Sequence, residues 1–237
     1  MFQPNAQQLL DLAVKHRIRA VSYGRGPDKK VIGRLRDAGI VCMPTVGAVK
    51  HAQKAIEMGA NVVTIQGGEG GGHTGSVPTT VLLPQVVDAV KVPVVAAGGI
   101  FDGRGLAAAL TLGAVGVWVG TRFIATPEAQ AVAGYKERIL ASAEDGTIIT
   151  RAYTGKTCRV LRTGYARAFE ESGGVPEPFP MQYVRSVEDG ANHLGGDLDT
   201  TGVDPDREFM PAGQAIGAID ELVPAGDIVR SMVAEAE

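Results

Sequence analysis

The chain has 237 residues, enough for one α/β domain with a small appendage, and its 45% hydrophobic content is ordinary for a globular protein. A net charge of −3 gives no electrostatic reason to expect nucleic acid or an anionic membrane as partner, and no apolar run is long enough to span a bilayer. Two cysteines, Cys42 and Cys158, make no disulfide framework, and the N-terminus lacks the charged-then-apolar pattern of a signal peptide, so a reduced cytoplasmic setting is expected.

From residue 18 to about residue 125 one unit repeats: a short apolar strand, a turn, an amphipathic helix. The strand-like runs are Ile18–Tyr23, Ile40–Thr45, Asn61–Gln66, Pro93–Ala97 and Val115–Gly120. Between them, helical spacing covers Lys29–Ala38, Ala48–Met58, Thr80–Val90 and Gly103–Leu112. Pro27 and Asp28 open the first of these helices, and Gly39, Gly59 and Gly113 close the first, second and fourth. Cys42 lies inside the run Ile40–Met43 and reads as a small core residue. Beyond residue 125 the pattern loosens. Glu128–Ala143 reads as a helix, Thr147–Arg162 as extended, and Gly173–Ala212 as a Gly-, Pro- and Asp-rich segment with no clear period. A last helix runs from about Asp227 to Ala236. The middle of this tail reads as a cap over one end of the preceding units.

Alternation of this kind implies parallel strands with right-handed crossovers, in an open doubly wound sheet or in part of an eight-stranded barrel. The glycines separate the two. A dinucleotide-binding sheet carries its Gly-rich turn after the first strand, but here that turn is Gly24-Arg25-Gly26-Pro27, whose proline removes a donor. The Gly-rich turns instead follow the third, fourth and fifth strands, and a barrel builds its site from several strand C-termini. The barrel is the expected fold.

Residues 66–73 read Gln-Gly-Gly-Glu-Gly-Gly-Gly-His directly after the third strand. Glycine costs conformational entropy, so such a cluster serves either a mobile surface loop or a tight turn that presents backbone N–H groups to an anion or flat ring. Two neighbouring turns, Ala96-Ala97-Gly98-Gly99-Ile100 and Gly120-Thr121-Arg122-Phe123, would aim amides, the Thr121 hydroxyl and the Arg122 guanidinium at one spot. That suits a phosphate monoester; the alternative is a pair of ordinary βα turns with Arg122 as a surface charge. Glu69 either caps the following turn or orients His73, and the capping role is preferred. His16, His51 and His193 are scattered without metal-ligand spacing and read as helix-surface or loop residues, so no metal is expected.

The run Gln66–Gly75, then Pro93–Ile100, Asp102–Leu110 and Val117–Thr126, with a return at Pro211-Ala212-Gly213-Gln214, resembles the nitronate monooxygenase (2-nitropropane dioxygenase) family. These are FMN-dependent TIM-barrel, (β/α)8, oxidoreductases, and the family includes reductases of quinones and enoyl thioesters. Carried over by position, the resemblance implies that Gln66, Gly71 and Gly72 lie against the flavin. Gly98, Gly99, Trp118, Val119, Gly120 and Thr121 would hold its phosphate and ribityl end, and His73 would be the catalytic base. The family usually has alanine at Gly70 and often glutamine at Trp118. Its barrel begins about three βα units earlier, roughly 90 residues at ~30 per unit. The expectation is therefore residues 1–128 as a partial flavin-binding barrel and 129–237 as C-terminal helices and a cap packing on it. Open edges would favour self-association, making a homo-oligomer possible.

An imidazole with a pKa near ~6.5 can accept a proton at neutral pH from a carbon acidified by a nitro group, after which electrons pass to flavin and then to dioxygen. The bland reading of His73 is a histidine hydrogen-bonded within its loop. A second reading keeps the fold: the wording Gly67–Gly75 with Val77-Pro78-Thr79-Thr80 resembles members that reduce acyl thioesters with NAD(P)H. A third is a truncated chain without catalysis.

Overall fold

In the computed structural model, residues 6–24, 28–132, 134–193 and 201–237 are described. The repeating units appear in chain order as α1 (Ala6–Lys15), β1 (Ala20–Tyr23), α2 (Lys29–Asp37), β2 (Val41–Val46), α3 (Val49–Glu57) and β3 (Val63–Gln66). There follow β4 (Gly72–His73), α4 (Thr79–Ala89), β5 (Val94–Ala97), α5 (Gly103–Thr111), β6 (Gly116–Trp118) and α6 (Thr121–Ile124). The remainder gives α7 (Tyr135–Leu140), β7 (Thr147–Thr150), β8 (Cys158–Leu161), α8 (Gly164–Glu171), α9 (Met181–Glu188), a 3-10 turn at Gln214–Ala218, and α10 (Ala225–Ala236).

The helix boundaries follow from side-chain and backbone chemistry. Asp28 caps α2 by accepting from the amides of Lys30 and Val31, and Asp102 caps α5 by accepting from Gly105. Gly39, Gly59 and Gly113 end their helices with φ of +70°, +100° and +98°. Pro27 falls outside the described residues.

β1, β2, β3, β5 and β6 form one parallel sheet in that spatial order. Each strand lies beside its predecessor, with no reversal of order. A doubly wound sheet needs such a reversal, so sequential order is the arc of a (β/α)8 barrel. Val46, Val63, Ile65, Val94 and Ala96 pack with Leu82, Leu83 and Val86 of α4 into the core on the helical side. Because strand side chains alternate, Thr45, Thr64, Gln66, Ala97 and Trp118 belong to the opposite, concave side. Cys42 is fully buried in a smaller cluster with Leu10, Ile32 and Leu35, and burial pushes its thiol up to about 11.

A second, antiparallel sheet has the order β4-β8-β7. Its middle strand comes from the C-terminal half of the chain and its edge is the Gly72–His73 backbone, with Gly72 opposite Arg159 and His73 opposite Cys158. Tyr153, Cys158, Val160, Ala166 and Phe209 form the core behind it. Among the described residues no helix is long and apolar enough to cross a membrane.

Three details differ from the sequence expectation. The helix expected over Glu128–Ala143 is confined to Tyr135–Leu140, because Gly134 enters it with φ +75° and the preceding residues are irregular. The stretch read as having no period contains α9, and the last helix starts at Ala225 rather than Asp227.

α10 lies on α5 so closely that a Cβ on Gly103 would stand 2.7 Å from the Met232 carbonyl oxygen and 2.9 Å from the Ala236 nitrogen, while Glu235 accepts from the Gly103 amide at 2.9 Å. Neither clash is with a flexible side-chain end. Gly103→Ala should therefore destabilise by about 1–3 kcal/mol, an overpacking cost, lowering the melting temperature by roughly 2–10 °C for a chain of this size. A melting point at or above that of the parent would refute this contact.

Candidate functional site

The site is built at the C-terminal ends of β3, β5 and β6, where the parallel strands hand over to their glycine turns. Gln66, the last residue of β3, turns its amide back onto the loop: Nε2 donates to the carbonyls of Gly71 and His73, each at 3.1 Å. Thr74 Oγ1 donates to the Gly67 carbonyl at 3.0 Å. Glu69 turns the other way, accepting from the Thr79 amide at 3.1 and 2.9 Å and from the Thr79 hydroxyl at 3.0 Å at the start of α4. It caps the start of that helix.

The glycines allow two backbones to meet. A Cβ on Gly71 would lie 2.7 Å from the carbonyl carbon of Ala212, and one on Gly213 would lie 2.7 Å from the Glu69 carbonyl oxygen. Gln214 N donates to that Glu69 carbonyl at 2.9 Å, and Gly213 N donates to Thr121 Oγ1 at 2.9 Å. Residues 211–214 thus join the β3 loop to the turn after β6.

Two adjoining cavities result. One, of about 160 Å³, is lined by Gln66, Gly71, Gly98, Gly99, Trp118, Gly120 and Thr121, together with Gly213 and Ala215. Of the nine expected cofactor contacts, seven meet here, whereas Gly72 and Val119 line neither this cavity nor its neighbour. Gly98 and Gly99 hold φ of +100° and +75°, and no hydrogen bond among the described residues uses the amides of Gly98, Gly99 or Gly120. A Cβ on Gly120 would meet no atom within 4 Å. Unused amides around a polar recess, with the Thr121 hydroxyl beside them, fit the phosphate end of FMN.

The second cavity, about 590 Å³, contains His73, His51, Lys156, Thr45, Thr74 and Thr157, and shares Gln66 and Gly71 with the first. Among the described residues, its ionisable lining is His51, His73 and Lys156. His73 is on β4, and its Nε2 is 2.9 Å from Thr154 Oγ1. Lys156 Nζ sits 4.2 Å from the centre of the Phe179 ring.

Arg122 corrects the sequence reading. It is neither a phosphate ligand nor a surface charge: its side chain is buried, and Nη2 donates to the carbonyls of Glu221 at 2.9 Å and Ala125 at 3.4 Å, on the far side of the turn. Burial lowers its pKa, and the Glu221 and Asp220 carboxylates oppose that shift. His51 was assigned to a helix surface. It is indeed exposed on α3, but the first turn of that helix opens into the His73 cavity. Its place right after the β2 C-terminus was the available signal. Lys156, Thr157 and Thr154 carry no such signal, since they come from a stretch without periodicity.

The sequence pattern of the family described as "Nitronate monooxygenase" matches residues 3–235. A Mycobacterium tuberculosis protein named (3aS,4S,5R,7aS)-5-hydroxy-7a-methyl-1-oxo-octahydro-1H-indene-4-carboxyl-CoA dehydrogenase is 37% identical over 98% of this chain and 75% of its own length. A Rhodococcus jostii protein of the same name is 47% identical over 72% of this chain, a match spanning 48% of that relative. The crystal structure of a nitroalkane oxidase from Streptomyces ansochromogenes superposes with a TM-score of 0.84 at 32% identity, over 96% of this chain and 66% of that one. The chain thus spans between about half and three quarters of these relatives.

If Glu69 serves as a cap, Glu69→Ala should lower the unfolding free energy by about 1–2 kcal/mol, the usual loss for a removed helix cap, and raise protease sensitivity between Gly67 and Thr79. Undiminished stability in denaturant titration would show that the carboxylate has another task.

Proposed function

From a chain that belongs to the nitronate monooxygenase family, we propose an FMN-dependent oxidoreductase in which His73 moves a proton at a carbon made acidic by a neighbouring thioester carbonyl. The observation that carries this reading is the shared wall: Gln66 and Gly71 line both the glycine-rich recess and the His73 cavity. A planar group held in the first is therefore in reach of a substrate held in the second. In this reading residues 1–128 supply the partial flavin-binding barrel and residues 129–237 the cap.

FMN, when bound, takes up or supplies the electron pair that C–H oxidation releases or C=C reduction consumes. The chain does the rest. The amides of Gly98, Gly99 and Gly120 and the hydroxyl of Thr121 bind the phosphate end. Gln66 fixes the loop by holding the carbonyls of Gly71 and His73. His73 accepts the proton in the oxidative direction and returns it in the reductive one, as an imidazole is suited to do. Lys156 puts a cation in the cavity lining, suited to a phosphate of a CoA ester, with the His51 ring beside it as a hydrogen-bonding group.

The CoA thioester is preferred over a nitronate because two relatives named as carboxyl-CoA dehydrogenases match this chain at 37% and 47% identity. The nitronate reading is supported by the nitroalkane oxidase structure and by Staphylococcus relatives named probable nitronate monooxygenase at 36% and 33% identity. Under that reading dioxygen is the electron acceptor, whereas a thioester reductase draws on NAD(P)H.

The two readings separate under nitrogen. With acyl-CoA, the flavin absorbance should bleach, or bound enoyl-CoA should support NADH oxidation; a nitronate should leave both signals unchanged. Bleaching by the nitronate alone would favour the oxidase. His73→Asn should retain the visible spectrum and lose turnover by about 10²–10⁴-fold, the usual contribution of a general base. Undiminished turnover would remove His73 from the chemistry. Gly120→Ala tests the cofactor placement without a folding artefact, since the added methyl meets no protein atom within 4 Å. Its FMN affinity should fall about tenfold, a ~1.4 kcal/mol loss, and normal retention would move the phosphate elsewhere.

A further inference from the structure

We infer that Thr154 is a positioning residue that sets the tautomer of His73, donated by the C-terminal half of the chain to a base on the barrel loop. The inference rests on the reading of His73 as the base. Thr154 lies in the turn between β7 and β8 and is 3% exposed. That turn is brought to His73 by the β4–β8 pairing, with His73 opposite Cys158, and by the Thr74 amide donating to the Thr157 carbonyl at 3.4 Å.

The tautomer follows from counting protons on one oxygen. Thr154 Oγ1 accepts from the Lys156 amide at 3.2 Å and donates to the Lys156 carbonyl at 3.2 Å. A hydroxyl has one hydrogen and two lone pairs. The hydrogen is shared between the Lys156 carbonyl and the Cys158 sulfur and one lone pair is taken by the Lys156 amide, so the remaining lone pair faces His73 Nε2 at 2.9 Å. All three contacts are hydrogen bonds only when Nε2 carries a proton and donates. The neutral ring is then the Nε2–H form, with its lone pair on Nδ1. The same oxygen keeps accepting from Nε2–H after the ring is protonated, so the ring need not turn during the proton transfer. Pairing to β8 fixes the backbone of His73, and Thr154 fixes the ring about it.

Valine replaces threonine with nearly the same shape and no hydroxyl, while serine keeps the hydroxyl and drops the methyl. Histidine 15N shifts of the flavin-loaded full chain at alkaline pH should show His73 as the Nε2–H tautomer in the parent and in Thr154→Ser. In Thr154→Val the shifts should move toward a mixture of tautomers. The value of kcat should fall roughly 10- to 100-fold in the valine variant, with flavin content and KM little changed, and return to within about twofold of the parent in the serine variant. An Nδ1–H ring in the parent overturns the inference, as does an unchanged spectrum in Thr154→Val or a serine variant as impaired as valine. His73→Asn is the control on the underlying reading. If its turnover is intact while the spectra behave as expected, the base assignment fails and the positioning contact stands.

Discussion

Gln66 donates the two N–H groups of its side-chain amide to two carbonyls five and seven residues further along the chain, and the rest of the site depends on that double contact. It closes the loop 67–73 on itself at the point where β3 stops supplying ladder hydrogen bonds. A loop of this glycine content loses more backbone entropy on ordering than other sequences do. Each hydrogen bond contributes only about 0.5–1.5 kcal/mol net, so one side chain is not enough. The loop is therefore gripped from several directions: Glu69 on α4, Thr74 on Gly67, and Arg159, which donates to the Gly68 carbonyl at 3.1 Å and to Thr147 Oγ1 at 2.9 Å.

The charged groups of this region serve architecture. Arg159 is half-buried, and desolvation lowers its pKa while the nearby Glu69 carboxylate works against that shift. A guanidinium stays charged in either case, and its planar fork suits holding two oxygens on different segments. Arg122 acts in the same way at the next turn, tying α6 to the Glu221 carbonyl. Both arginines donate their hydrogen bonds to protein oxygens. In the proposed reading, an anion in the small recess would meet backbone amides, which carry no desolvation cost of a full charge and hold fixed directions.

What was legible in the sequence is the part with periodicity. The parallel strands and the helices α2 to α5 follow apolar spacing and glycine punctuation, and the glycine turns sit where the strand C-termini converge. The two-residue strand β4 was not legible, because Gly72 and His73 have no strand propensity and pair only because β8 is there to receive them. The helix α9 inverts the usual rule. Its inward face is polar, with Gln182 Nε2 donating to the Ala152 carbonyl at 2.5 Å and Ser186 Oγ to the Tyr153 carbonyl at 2.8 Å. Its apolar residues Met181, Tyr183, Val184 and Val187 face outward. A search for an apolar stripe aimed at a core cannot find such a helix. Thr154 and Lys156 were hidden for a related reason, since they belong to the turn that α9 holds.

Under the proposed reading, that turn makes the chemistry depend on more than the barrel. Gln182 and Ser186 satisfy the carbonyls of Ala152 and Tyr153, the residues just before Thr154. The Tyr153 ring packs against Phe209 with ring centres 4.8 Å apart, and its hydroxyl bonds to Thr163 at 2.7 Å. Burial raises the Tyr153 hydroxyl far above its ordinary pKa, so it remains a neutral hydrogen-bonding group. Packing of this density leaves the turn little freedom. The position of Thr154 Oγ1 is thus inherited from a polar helix face and a buried tyrosine, neither of which lines the cavity. The His73 ring, on a glycine-rich loop, meets a partner placed by this second layer of structure, which is what the proposed base requires of a flexible sequence.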